Sequence, residues 1–346
     1  MISEDKFFDY EGKNILKNVN FKKFKNKKIL ILGANSFFAS YLSLAFVYSN
    51  YLNKIKCKIT CVSKSNPKSF LKKMSNSNQI KFIKMNISED NSFQNILKKK
   101  FDYIFHAATY GQPAKWVNNE VELINLNIGV LNSILKSIKQ KKTKLIFFSS
   151  CDVYGKTNNL PVDENFKFNV DINSYRSNYA LSKIMGERLC FFYKKQYNVK
   201  SIIIRPGHTF GVGQSIKNDN RVILELIKKA IFKKEIKLID AGKSIKTWGY
   251  ISDIICMILN VAQYGKQDIY NVTGKNFLSI LKIAKIISKF FGGIKVVTNA
   301  NNRNDDPEIV KVYSKNYNKE FKKPPYTSFE DGINRLIKWN LKLKNI

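Results

Sequence analysis

"ILILGANSFFASYLSLAF", residues 29–46, is the stretch on which the fold turns. An apolar run leads into Gly33, and an apolar pattern of helical period follows it. A phosphate-cradling turn of this kind places glycines at 33, 36 and 39, whereas the chain has Gly33, Ser36 and Ala39. Gly33 keeps the tight exit from the first strand. Ser36 crowds the place where backbone would approach a pyrophosphate, but its hydroxyl can donate to a phosphate oxygen. Ala39 is an accepted variant at the helix–sheet contact. Asn35, Phe37 and Phe38 complete the turn expected to face a dinucleotide.

Working outward, strand-like runs alternate with helical patterns. KILILG (28–33), KITCVS (58–63), IKFIKMNI (80–87), DYIFHAA (102–108), KLIFFSS (144–150) and SIIIRPG (201–207) read as strands. Helical patterns cover 37–49, 91–99, 119–140 and 179–197. Strands separated by such helices are βαβ units with a buried parallel sheet. The expected fold class is α/β, a Rossmann-type doubly wound parallel sheet with a smaller C-terminal substrate-binding lobe. Residues 1–26, polar and lysine-rich, are expected to form an N-terminal arm, and residues 27–205 the nucleotide-binding domain. Residues 206–346 are expected to be mainly the substrate lobe, with a return to the first domain around 235–260. In that lobe a helix is expected at 219–233, a strand at 235–239 and a terminal helix near 328–338.

At 346 residues and 44% hydrophobic composition the chain can bury a sizeable core. The net charge of +34 invites a nucleic-acid reading, yet the basic residues are scattered and almost all are Lys. No basic stripe interleaved with aromatics appears, so no nucleic-acid partner is expected. No apolar run reaches membrane-span length and the N-terminus carries no signal-like core, so a soluble, cytoplasmic protein is expected. Five cysteines without a CxxC pair and two histidines, His106 and His208, leave no metal-ligand cluster. Only six of the 60 basic residues are Arg. Where Lys fills most basic positions, a remaining Arg points to a need for a planar fork on phosphate or carboxylate.

In SNYALSKIMGE, Tyr179 and Lys183 stand four apart and share a helix face. An adjacent ammonium favours the phenolate and would make the tyrosine a usable base near neutrality. Upstream, KLIFFSS runs into SSCDVYG and brings Ser149, Ser150, Cys151 and Asp152 to the carboxyl edge of the sheet. A strand-terminal serine hydroxyl there can share a substrate proton with Tyr179.

With these residues in place the chain resembles the extended short-chain dehydrogenases/reductases, the NAD-dependent epimerases and dehydratases of nucleotide sugars. The resemblance runs from about residue 27 to 340, through GANSFFAS, HAATYGQPAKW, NLNIG, FFSSCDVYG, RSNYALSK, RPGHTFGVG, NDNRVILELI, GKSIKTWGYISD and YNVTG. RSNYALSK, NDNRVILELI and GKSIKTWGYISD look most like UDP-glucuronate decarboxylases and dTDP-glucose 4,6-dehydratases. The resemblance implies that Tyr179 takes a proton from a sugar hydroxyl. It implies that Lys183 holds the nicotinamide ribose and that Ser150 orients the reacting oxygen. It places Ala107, Ala108, Thr109, Asn127, Ser149 and Pro206 near the cofactor, and Gln112, Arg176, His208, Arg221, Lys246 and Arg303 toward the substrate. Lys246 stands where the family usually has Arg, and His208 where it usually has Asn. The partner implied is a nucleotide-sugar substrate, with a homodimer through helices such as 119–140 and 179–197.

Around Cys151 and Asp152 the reaction is undecided. The 4,6-dehydratases have Asp-Glu here, so Cys-Asp disfavours dehydration, while decarboxylation and epimerisation ask for less. The cofactor expected is NAD. However, the second strand ends in Ser63-Lys64 rather than an acid, and a Lys64 pairing with a 2′-phosphate leaves NADP open. Asn86, followed by Ile87, stands where an adenine-contacting Asp is common.

Overall fold

The computed structural model describes residues 5–68, 70–71, 80–112, 118–157, 161–174, 177–299, 309–322 and 326–343. Short apolar runs rich in Ile and Val become strands β1 (Lys28–Leu32), β2 (Lys58–Ser63), β3 (Ile80–Lys84), β4 (Tyr103–His106), β5 (Lys144–Phe148) and β6 (Lys200–Pro206). Further along come β7 (His208–Phe210), β8 (Glu235–Lys237), β9 (Ile245–Tyr250), β10 (Ile269–Val272), β11 (Asn276–Ser279), β12 (Lys295–Val297) and β13 (Ile309–Val310).

Seven of these form one sheet in the order β10-β6-β5-β4-β1-β2-β3, and every pairing in it is parallel. All four residues of β4 are buried, as a strand covered on both faces requires. Chain order reverses between β1 and β4. At such a switch point the loops on the carboxyl side diverge and leave a crevice for a ligand. The helices Phe37–Leu52 and Ile251–Tyr264 lie on one face, with Ala45, Phe46, Ile255 and Ile258 fully buried. On the other face Leu30, Leu32, Ile104 and Leu145 pack with Leu131, Ile134 and Cys190.

The helical segment Glu120–Ile138 is interrupted by a π turn over Asn125–Gly129. It is long and apolar enough to cross a membrane by length and composition alone; here it packs beside the helix Asn178–Tyr197.

Two of the sequence expectations change. The lysine-rich arm is instead the helix Lys6–Asn18, capped by Asp5, whose side chain accepts from Phe7 N. Its lysines face outward while Phe8 and Ile15, seven residues apart, are buried. Phe8 stacks on Phe70 at 3.9 Å and meets Trp339 edge-on at 6.1 Å. Tyr48 donates to Asp9 at 2.8 Å and Tyr250 to Glu11 at 2.6 Å, so this helix ties the first domain to the C-terminal helix Phe329–Leu343. The strand expected at 235–239 also does not return to the main sheet. As β8 it pairs with β12, and the return is made by the helix Ile251–Tyr264 and by β10 beside β6. The second sheet runs β11-β9-β13, with β7 also on β9, and overhangs the carboxyl ends of the main strands.

Candidate active site

The first strand ends in a turn only glycine fits. Gly33 has φ +78°, and a Cβ there would lie 2.7 Å from Ala108 Cα. Its amide and that of Ala34 donate to Val62 O, binding the turn to β2. Ser36 caps the helix Phe37–Leu52, accepting from Ala39 N at 3.4 Å. A hydroxyl that accepts still has its own proton to give, so the cap leaves Ser36 able to donate to an anion at this helix N-terminus.

Asn35 acts otherwise. Its amide reaches Ser63 Oγ at 3.1 Å and Asn66 O at 2.7 Å, while its Oδ1 accepts from Lys68 N at 3.2 Å. It fastens the loop leaving β2. Lys64 is the clearer correction. Its ammonium is held by both oxygens of Glu122, each at 3.1 Å, so it is not a free cation for a 2′-phosphate. Asn86 Oδ1 accepts from Ser88 Oγ at 2.7 Å, leaving the buried Nδ2 without a partner; buried Thr109 Oγ1 also has none.

At the end of β5, Ser150 caps the short turn Cys151–Tyr154. Its Oγ accepts from Asp152 N at 3.2 Å and donates to Asp152 Oδ2 at 3.1 Å. Tyr179, from the facing helix, is buried beside this pair and hydrogen-bonded to Ser150. Burial and then the Asp152 charge push the phenol well above its ordinary range, against the Ser150 bond that draws it down. The sequence expected an adjacent ammonium to favour the phenolate. Instead Lys183 lies over the ring face, 5.7 Å from its centroid, and donates to Phe148 O at 2.6 Å. Burial brings Lys183 down to about 7, opposed by Glu187. Cys151 is a buried thiol pushed up by burial and by Asp152.

Behind these groups lies a network that sequence reasoning missed. Ser149 Oγ donates to Glu187 Oε1 at 2.6 Å, and Arg205 binds both Glu187 oxygens. Arg205 also donates to the Tyr154 hydroxyl at 2.9 Å. The spacing Tyr179–Lys183–Glu187, four and four on one helix face, was the signal available. The π turn aims Asn127 across at Ser182 Oγ, 2.9 Å away, and Ser182 in turn donates to Tyr179 O. Such a bulge shifts register by one residue, which spacing alone does not reveal.

A cleft of ≈ 2750 Å³ joins the turn residues Ser36, Phe37 and Phe38 to Ser150, Cys151, Asp152 and Tyr179. Gln112, His208, Arg221 and Lys246 line its other wall. His208 pairs in register with Trp248, ring centroids 5.3 Å apart, and its buried Nδ1 has no partner. Burial, then the charges of Lys246 and Arg221, lowers His208 to about 3. Arg221 forks onto Asp219, with Nε 2.9 Å from Oδ1. Ala107, Thr109, Ser149 and Pro206 also line the cleft, whereas Lys183 and Asn127 sit behind its wall, and Ser63, Lys64, Asn86, Ile87 and Ala108 lie off it. Arg176 and Arg303 lie outside the described residues.

Residues 29–273 match the NAD dependent epimerase/dehydratase family, and the chain belongs to it. Among curated relatives it is 25% identical over 237 residues to UDP-glucuronic acid decarboxylase 1 of Xenopus tropicalis, covering 68% of this chain and 56% of that protein. The chain thus spans little more than half the length of that relative. It is 26% identical over 324 residues to a putative UDP-glucose 4-epimerase of Methanocaldococcus jannaschii, covering 90% and 97%. Among solved structures, a UDP-glucuronic acid 4-epimerase variant of Bacillus cereus, in complex with UDP-4-deoxy-4-fluoro-glucuronic acid and NAD, superposes with TM-score 0.78. It covers 91% of this chain and 99% of that one at 22% identity. An epimerase from Methanothermobacter thermautotrophicus superposes at 0.80 with 18% identity, covering 96% of each.

The residues present fit NAD. The Gly33 turn leaves backbone room, the Ser36 cap offers a donor at a helix N-terminus, and Thr109 Oγ1, on the cleft wall, is a buried polar atom without a partner.

Proposed function

We propose that the chain converts a nucleotide-diphosphate sugar through a transient 4-keto form, by decarboxylation or epimerisation. NAD, when bound, supplies reversible oxidation of the sugar carbinol. The chain supplies the proton path. Ser150 Oγ is bonded both to Tyr179 and to Asp152, so a proton leaving the sugar hydroxyl for Tyr179 can be passed through Ser150 toward the Asp152 carboxylate. This shared serine is the observation that carries the reading. It gives a buried, raised phenol an acceptor that a lone tyrosine would lack. Lys246 on the facing wall supplies positive charge for the diphosphate, and neutral His208 offers a ring nitrogen to the sugar.

Cys151 argues against dehydration. Its raised thiol yields a proton to a leaving hydroxyl less readily than the carboxyl that 4,6-dehydratases place there. A homodimer is supported by apolar groups left exposed on the two helices the family pairs, Val121, Ile124, Met185 and Phe192. A cytoplasmic setting, and a role in building polysaccharide precursors, accord with a substrate of this class.

The test is incubation with NAD and a panel of nucleotide sugars, reading product masses. Loss of carbon dioxide marks decarboxylation, an unchanged mass with altered stereochemistry marks epimerisation, and loss of water would overturn the assignment. Tyr179→Phe should lower turnover at least about 10²-fold with unaltered circular dichroism. Full turnover in that variant would remove Tyr179 from the mechanism.

A further inference from the structure

The carboxyl end of β2 offers no acid, since Ser63 and Lys64 stand there. A carboxylate arrives from elsewhere. Glu122, in the helix Glu120–Ile124, accepts from Lys64 Nζ with both oxygens at 3.1 Å and from Ser88 Oγ at 3.2 Å. The Tyr110 hydroxyl donates to the same group at 2.5 Å. Its anchors follow β2, β3 and β4, strands that with β1 run side by side in the order β4-β1-β2-β3. The carboxylate is therefore tethered across the edge of the sheet where the adenosine half of a dinucleotide belongs. Two buried polar atoms without partners, Asn86 Nδ2 and Thr109 Oγ1, lie next to these anchors along the chain.

We infer that Glu122 selects NAD over NADP, by occupying Lys64, the cation directly after β2, and setting its own charge against a 2′-phosphate. The inference rests on the dinucleotide site described above and adds a selecting residue from a different element. Lys64 alone would favour a phosphate. Bound to Glu122 it has no net charge to offer, and an added phosphate would meet the carboxylate. Burial would raise Glu122, but bonds from Tyr110, Lys64 and Ser88 outweigh it and keep the group ionised. Four bonds also fix its position, so it cannot swing away to admit the phosphate.

The test is direct binding of NAD⁺ and NADP⁺, followed by isothermal titration on the full chain, with no turnover involved. Wild-type protein should bind NAD⁺ more tightly. Glu122→Gln keeps the shape and frees Lys64, so the ratio of affinities should move toward NADP⁺ by about tenfold or more. Adding Lys64→Met to that variant should cancel the gain. A ratio within twofold of wild type in Glu122→Gln overturns the inference. Should that variant not fold, Lys64→Met alone serves: uncompensated Glu122 should weaken NADP⁺ binding further while sparing NAD⁺, and an unchanged NADP⁺ affinity is the contrary result. Failure of wild-type protein to bind either dinucleotide would instead strike at the site itself.

Discussion

Glu187 and Arg205 form a forked ion pair with both side chains 2% exposed, Arg205 Nη2 to Oε2 at 2.6 Å and Nε to Oε1 at 2.8 Å. The pair joins the helix Asn178–Tyr197 to β6. It also sets a negative charge one helical turn from Lys183 and draws that amine's affinity for protons upward.

Breaking the pair from one side leaves a buried charge alone. Glu187→Gln should cost about 3–5 kcal/mol in urea unfolding. Any folded fraction should bind its Lys183 proton less tightly, so the alkaline limb of a pH–rate profile should move to lower pH. A profile that stays in place would mean Glu187 does not act on Lys183.

Gly33→Ala should impair the cofactor turn without touching Tyr179. The added methyl meets Ala108 Cα at 2.7 Å and forces a positive φ on alanine. We expect a loss of about 1–3 kcal/mol in stability and weakened NAD binding, read by thermal shift with and without the dinucleotide. Wild-type affinity and melting together would show that the turn relaxes freely.

His208 should stay neutral through the working range. With its ring lowered to about 3 by burial beside Lys246 and Arg221, His208→Asn should change rates without altering the shape of the profile between pH 5 and 8. A limb that vanishes in the variant would show that His208 titrates there.

Stability should fall as pH rises across the mildly acidic range. Glu11, fully buried and bonded by Tyr250, is raised by burial from 4.5 to about 6. A folded state that holds the proton more tightly is favoured below the unfolded value and loses that advantage as pH passes 6. For Glu11 this amounts to roughly 2 kcal/mol. Asp253, raised to about 6 by burial, adds in the same direction. Glu11→Gln should flatten the slope of melting temperature between pH 4.5 and 6, and an unaltered slope would assign it to other groups.

Much of this was legible in the residues themselves. The β1 turn, the parallel sheet implied by alternating runs, and Ser150 with Tyr179 and Lys183 all rest on local patterns of period two or 3.6. The partners of single charges were not legible. Lys64 resembled a phosphate ligand because its neutralising Glu122 lies 58 residues away on a separate helix. Lys183 was expected to favour the phenolate, but the ammonium bonds a strand carbonyl, and burial of the phenol outweighs charge. The segment 1–26 was expected to be an arm because lysines and other polar residues interrupt its apolar positions. Phe8, Ile15, Val19, Phe21 and Phe24 are nevertheless buried, with Phe70 and Trp339 there to receive Phe8.

The helix Lys6–Asn18 has a consequence for how the chain comes together in time. Its resting place is built from Tyr48, Tyr250, Arg335 and Trp339, and the last two lie more than 300 residues downstream. During synthesis it is made early and fully seated late, because Phe70 and Tyr250 can receive Phe8 and Glu11 well before Trp339 and Arg335 of the helix Phe329–Leu343 arrive to cover the same face.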